Sequence, residues 1–257
     1  MSESILQKTT RILKNEGARG LAQKGSRSFL RQLRPLQIVF YPYARWRIPQ
    51  LANRPYSAES AVDIAMNGFG GYICPTQKRS EILGLATLVE SLRPKTVVEI
   101  GTSKGGTLFL WARLATADAH IISVDLPGGE NDWAYPRWKE PFYQTFASKA
   151  QRIDLVRGDS HDFRILDECT RALGGHKVDF LFIDGDHAYE GVKRDYELYS
   201  PLVRRGGIIA FHDIAEHPPS TGSEVHRFWN ELKQGRTAKE FIEDKDQGWA
   251  GIGILFP

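Results

Sequence analysis

The chain has 257 residues, 41% hydrophobic and 25% charged, with two cysteines and a net charge of +3. This composition suits a globular protein with a sizeable core and excludes a disordered or collagen-like chain. Cys74 and Cys169 stand far apart with no C-x-x-C spacing, which excludes a disulfide framework and a cysteine zinc site, and no apolar run approaches the ~20 residues of a membrane span.

The charge is unevenly placed: residues 1–55 hold eleven Lys/Arg and two Asp/Glu, a net +9, which leaves −6 for the rest. Residues 5–34 read as one or two basic amphipathic helices, with Ile5, Leu6, Ile12, Leu13, Leu21, Phe29, Leu30 and Leu33 interleaved with Lys and Arg, and Pro35 ends them. Such an arm suits adsorption to an anionic membrane surface, or packing on its own domain or a second copy with the basic face in water. A homo-oligomer is expected. No nucleic-acid motif accompanies the charge, so nucleic acid is not an expected partner. Charges scattered through the first residues replace the apolar stretch of a secretory signal, and the expected location is the cytoplasm, with the inner membrane face as the alternative.

Leu36 to Tyr56 is aromatic and Pro-broken, which predicts an extended connector. Gly68, Gly70 and Gly71 mark a loop. Thr76 is the expected N-cap of a helix that runs to Leu92, buries Ile82, Leu85, Ala86 and Val89, and is closed by Arg93-Pro94. From Thr96 onward strand and helix alternate, which argues for a parallel sheet. The strands are expected at Thr96–Ile100, His120–Val124, Ile153–Val156, Val178–Ile183 and Gly207–Phe211, with two more near 240–242 and 252–256. The domain organisation read from this is an arm and connector over 1–75 and an α/β domain over 76–257.

The strand at Thr96–Ile100 runs into Gly101-Thr102-Ser103-Lys104-Gly105-Gly106-Thr107. This is a tight turn whose glycines allow close approach of a ligand and leave free N–H groups at a helix start. Gly101 and Gly105 stand four apart and Glu99 precedes them, which disfavours the G-x-G-x-x-G dinucleotide fingerprint. Each of the first five strands ends in an acid or an acid-bearing loop: Glu99, Asp125, Asp159, Asp184 and Asp213. In an open parallel sheet ligands bind at those strand ends. Asp184-x-x-His187 and His212-Asp213 would meet beside the turn, and two carboxylates with an imidazole suit a divalent ion and a hydroxyl to be deprotonated. The insertion 127–150, rich in Trp and Tyr, reads as a lid or binding loop.

The E/D-x-G-x-x-x-G turn resembles the first motif of the class I S-adenosyl-L-methionine (SAM)-dependent methyltransferases. Phe182-Ile183-Asp184-Gly185-Asp186-His187-Ala188-Tyr189-Glu190-Gly191-Val192 with Gly206–Asp213 resembles a subgroup of metal-dependent O-methyltransferases that includes macrolide-sugar O-methyltransferases and cephalosporin hydroxylase-like proteins. The resemblance covers about Thr76 to Pro257. It implies a Rossmann-like sheet of seven strands with helices on both faces, SAM as cofactor, and methylation of a hydroxyl on a sugar, glycan precursor or small natural product. Glu99, Gly101 and Ser103 would then line the methionine end, with Glu99 placed to hold structure or to reach the cofactor's amino group; Asp125 would take the ribose, Gly158, Asp159 and Ser160 would flank the adenine, and Gly105 and Asp184 would also bind the cofactor. Asp184, His212 and Asp213 would hold Mg²⁺, with Mn²⁺ or no metal as alternatives, and His187 with Asp184 would be catalytic, His187 as general base. The subgroup commonly has Glu or Asp where His212 stands, so His212 is alternatively a base or a residue behind the ligands. A catalytically silent SAM- or nucleotide-binding protein at a membrane surface is the competing reading; an oxidoreductase is disfavoured by the glycine spacing.

Overall fold

A computed structural model of the chain describes residues 34–128 and 134–257, with side chains from Phe40 onward. The amphipathic helices expected over residues 5–34 therefore lie outside the described residues except for Arg34, as does the stretch 129–133 of the insertion.

β1 (Thr96–Ile100), β2 (His120–Asp125), β3 (Arg152–Arg157), β4 (Val178–Ile183) and β5 (Val203–His212) are parallel. β6 (Ala238–Phe241) and β7 (Ile252–Leu255) complete a seven-stranded mixed sheet in the order β3-β2-β1-β4-β5-β7-β6. β7 runs antiparallel to both β5 and β6. The chain builds outward from β1 to β3 and then returns to lay β4 on the other side of β1. The order thus reverses between β1 and β4, and a crevice opens outside their carboxyl ends.

β1 is buried at every position because helices cover both faces of the sheet. Alternate residues of the strands enter different cores, as a period of two demands. Val97, Ile121, Phe180, Phe182 and Ala210 pack against α1 (Arg34–Leu51), α2 (Ala58–Asn67), α3 (Arg79–Leu92), α4 (Gly106–Leu114) and α5 (Glu140–Gln144). Val98, Leu181, Ile209 and Phe211 pack against α6 (Phe163–Leu173), α7 (Tyr189–Tyr199) and α8 (Val225–Leu232).

The strand positions follow the expectation closely; the N-terminal side does not. Where an extended connector was expected, α1 is a helix that contains Pro42 and Pro49. Pro35, the expected stop, lies in its first turn, where a missing N–H costs nothing. Ala44, Ile48 and Leu51 recur at helical spacing and are buried in the shared core, and this packing outweighs the backbone bonds lost at the two prolines. The unexpected α2 begins at a capping box formed by Ser57 and Ser60 and buries Ala58, Ala61, Val62 and Ala65. α3 starts at Arg79 without a side-chain cap, so Thr76 is not its N-cap.

Glu81, in the first turn of α3 and 1% exposed, ties the C-terminal loop to the domain. Its carboxylate accepts hydrogen bonds from the backbone N–H of Glu243 (3.0 Å) and Gly251 (2.8 Å) and from Gln247 Nε2 (2.8 Å). Glu81→Ala should leave these donors buried and unpaired and lower the unfolding free energy by about 2–3 kcal/mol in urea titration. A change below about 0.5 kcal/mol would contradict this role.

Candidate active site

Gly101 adopts φ +86°, a conformation open to glycine, and a Cβ built on it would sit 1.9 Å from the backbone oxygen of Asp184. The Asp184 N–H donates to Ile100 O at 2.8 Å, so the ends of β1 and β4 lie in direct contact. Past Gly101 the chain turns through Ser103 (φ +47°) and Gly105 (φ +81°) into α4.

Asp125, at the end of β2, holds this turn in shape. Its Oδ2 accepts from the Thr102 N–H (3.2 Å) and the Ser103 N–H (2.9 Å), and its Oδ1 accepts from the Leu126 N–H (2.8 Å). Two of the turn's N–H groups are therefore spent on a protein carboxylate. Oδ2 thus has both lone pairs engaged, and Oδ1 keeps one. Burial pushes the Asp125 carboxyl up to about 6, and the three backbone donors offset part of that rise.

Glu99 sits elsewhere than its place in the motif suggests. It is fully buried beneath the turn, accepting from Thr102 Oγ1 and from Trp111 Nε1, both at 2.9 Å, and it does not line the cavity. Burial raises its carboxyl to about 8 against the bonds that favour the charged form. Of the two alternatives, holding structure and reaching a cofactor, the side chain has the geometry of the first. Gly105 likewise lies off the cavity, packed under the Tyr143 ring. Tyr143 donates its hydroxyl to Ser103 O at 2.7 Å, and Tyr135, Phe142 and Tyr143 are buried. The described part of the insertion thus buttresses the turn and contributes Ala134 to the cavity wall, next to Leu126 just before it.

The cavity has a volume of ≈ 860 Å³ and runs along the carboxyl ends of the strands. Gly101, Ser103 and Asp125 line one part of it, with Gly158, Asp159 and Ser160 adjacent; Asp184, His187, His212 and Asp213 line another. All the expected site residues other than Glu99 and Gly105 border it. Gln77, His161, His217, Ser223 and Trp249 border it as well, and the sequence singled out none of them for a role. Gln77 could not have been found by spacing: it reaches Asp184 Oδ2 (3.1 Å) across 107 residues of sequence.

At the other end of the cavity, His187 lies between two carboxylates, with Nδ1 2.9 Å from Asp213 Oδ2 and Nε2 3.3 Å from Asp184 Oδ1. Burial alone would lower its pKa, yet bonding to Asp184 and Asp213 raises it to about 10. His212 is 5% exposed, with Nδ1 3.0 Å from Asp184 Oδ1 and 3.2 Å from Asp213 Oδ1. Its charged form is likewise favoured by the two acids against the effect of burial. Asp184, His187 and His212 each present a ligand atom within 4.8 Å of the others. Asp213, expected among the ligands, stands behind that group. It is held at φ +62°, accepts the Ala250 N–H at 3.0 Å, and faces His217 Nε2 at 3.3 Å. A non-glycine residue held in this region costs on the order of 1–3 kcal/mol and persists where the surroundings over-determine it.

Glu99 sets a pH test. Below about pH 4.5 it is protonated in both folded and unfolded chains; between there and about pH 8 the folded chain keeps a proton that the unfolded chain releases, so stability falls as pH rises. Glu99→Gln can keep Oε1 on Trp111 and turn its amide to the threonine hydroxyl. It should lose less stability than the native chain between pH 5 and pH 8 in denaturant titrations, and parallel losses in the two would contradict the buried-acid assignment.

Residues 98–214 match the family described as a methyltransferase domain. The chain is 28% identical over 130 residues to a probable caffeoyl-CoA O-methyltransferase 3 of Dictyostelium discoideum, covering 49% of this chain and 47% of that protein. It spans between 18% and 62% of the length of the curated relatives it matches. Among solved structures, the O-methyltransferase TomG from Streptomyces achromogenes, in complex with SAM, superposes with a TM-score of 0.51 at 19% identity, over 79% of this chain and 90% of that one. MycE methyltransferase, from the mycinamycin biosynthetic pathway and in complex with Mg and SAH, superposes with a TM-score of 0.50 at 16% identity, over 79% of this chain and 55% of that one. The fold shared with them is the class I Rossmann-like methyltransferase fold.

Proposed function

We propose that the chain, whose residues 98–214 match a methyltransferase-domain family, transfers the methyl group of SAM to a hydroxyl oxygen of a small molecule or glycan precursor. The observation that carries this reading is the single cavity in which the glycine turn and the Asp184–His187–His212–Asp213 cluster face a common space. Its ≈ 860 Å³ falls in the range of small-molecule sites and has room for a nucleoside donor beside an acceptor.

SAM fits the residues of the turn. Gly101 lines the cavity beside the β4 end, Asp125 Oδ1 has one lone pair left for a ribose hydroxyl, and Asp159 and Ser160 edge the region expected for adenine. The methyl carbon is attacked by the acceptor oxygen in line with the breaking C–S bond; the sulfonium becomes a neutral thioether and the acceptor loses its proton. The chain's part in this is alignment of the two partners and disposal of that proton through two imidazoles and two carboxylates. His187, expected as the general base, has both ring nitrogens facing acids, Nδ1 toward Asp213 Oδ2 and Nε2 toward Asp184 Oδ1, so the proton is assigned to the cluster as a whole.

The Mg²⁺ expected from the resemblance is not matched by the donor set. Mg²⁺ favours oxygen ligands, and Asp184, His187 and His212, whose ligand atoms lie within 4.8 Å of one another, offer one carboxylate and two imidazoles. No step of the transfer is assigned to Mg²⁺.

The test is a titration of SAM into the full chain, with NAD as the comparison, followed by transfer of labelled methyl to hydroxyl acceptors. SAM should bind once per chain, Asp125→Ala should weaken it at least tenfold, and Asp184→Asn should cut turnover at least a hundredfold while SAM affinity stays within about threefold. Failure of the native chain to bind SAM, or equal loss of binding and turnover in Asp184→Asn, would contradict the assignment.

A further inference from the structure

We propose that Asp184, His187 and His212 bind one divalent first-row transition-metal ion of borderline softness, such as Co²⁺ or Zn²⁺, in preference to Mg²⁺. The proposal deepens the reading of this cluster as the acceptor end of the cavity and rests on that reading for its role in catalysis.

Four observations carry it. First, the donor set is one carboxylate and two imidazoles, with the three ligand atoms within 4.8 Å of one another. Imidazole suits Zn, Cu, Fe and Ni, whereas hard oxygen sets suit Mg and Ca. Second, His212 is buried and neither of its ring nitrogens makes a hydrogen bond, even though Nδ1 lies only 3.0 Å from Asp184 Oδ1. A nitrogen and a carboxylate oxygen at that distance without hydrogen-bond alignment are placed like two ligands of one ion, since donors ~2.1 Å from an octahedral ion stand about 3.0 Å apart.

Third, the donors are oriented from behind. Gln77 Nε2 donates to Asp184 Oδ2 at 3.1 Å and leaves Oδ1 as the oxygen shared by both imidazoles. Asp213 Oδ2 takes His187 Nδ1 at 2.9 Å, which turns Nε2 toward Asp184. A carboxylate on the far nitrogen of a histidine is the usual support of a metal-bound imidazole. Fourth, all three donors border the cavity, so the remaining coordination positions face the space where an acceptor hydroxyl would enter. Asp213 then acts as a positioning residue for His187 and is not itself a ligand.

The experiment is a titration of Co²⁺ into the chelator-treated full chain, free of any affinity tag, followed by visible d–d absorption, with SAM affinity measured on the same samples. One Co²⁺ per chain should bind, and Mg²⁺ at a hundredfold excess should not displace it. His187→Ala and His212→Ala should each weaken Co²⁺ binding at least tenfold, and Gln77→Leu should weaken it less, all with SAM affinity within about threefold of the native chain. A chain that binds SAM but not Co²⁺, or His212→Ala that binds Co²⁺ unchanged, would overturn the proposal, as would displacement by equimolar Mg²⁺. Co²⁺ binding without SAM binding would uphold the ion site and fail the methyltransferase reading instead. SAM affinity retained in a variant shows that loss of Co²⁺ is not loss of the fold.

Discussion

The carbonyl oxygen of Asp184 lies where a side chain on residue 101 would begin. That contact, possible only because Gly101 has no Cβ and accepts φ +86°, lets the ends of β1 and β4 touch at the point where strand order reverses. The donor turn and the His–Asp cluster would otherwise belong to separate loops. A methyl group must be passed between partners held a few ångströms apart, so this closeness is the first requirement of the chemistry. The Ile100–Asp184 backbone bond continues the β1–β4 ladder up to it, and the fully buried β1 anchors it to both cores.

Four acids at the strand ends look alike in the sequence and are set to different tasks by their surroundings. Glu99 is fully enclosed, bonded to Thr102 and Trp111, and favoured in its protonated form. Asp125 is bonded to three backbone N–H groups and shapes the turn from the cavity side. Asp184 and Asp213 are both held below the usual carboxylate range against burial because His212 and His187 lie beside them, joined at Asp213 by His217. Asp184 faces the cavity through an oxygen shared by both imidazoles, whereas Asp213 serves His187, His217 and the Ala250 backbone. Burial and partner, not position in a motif, separate structural acid from site acid.

The sheet was legible from sequence because β-branched runs bounded by acids and glycines carry a local signal, and β1 and β4 match their expected bounds residue for residue. The positions of Asp184, His187, His212 and Asp213 were legible because strand ends in a parallel sheet converge by topology alone. The division of labour among them was not, since the choice between His187 and Asp213 as a neighbour of Asp184 depends on side-chain direction after the chain leaves the strand. α1 was misread because prolines outweighed the spacing of Ala44, Ile48 and Leu51, and its stability comes from a core shared with distant elements. Glu81 gripping Gly251, and Gln77 gripping Asp184, are tertiary bonds across 170 and 107 residues for which no local pattern exists.

The most direct measurement is a crystal structure of the full chain grown with S-adenosylhomocysteine. Its adenosine should lie between Asp125 and residues 158–160, with a ribose hydroxyl on Asp125 Oδ1 and the sulfur turned toward Asp184 and His212. Electron density for the nucleoside over the His187–His212 pair, or none within the cavity at saturating concentration, would contradict a methyl donor held at the glycine turn.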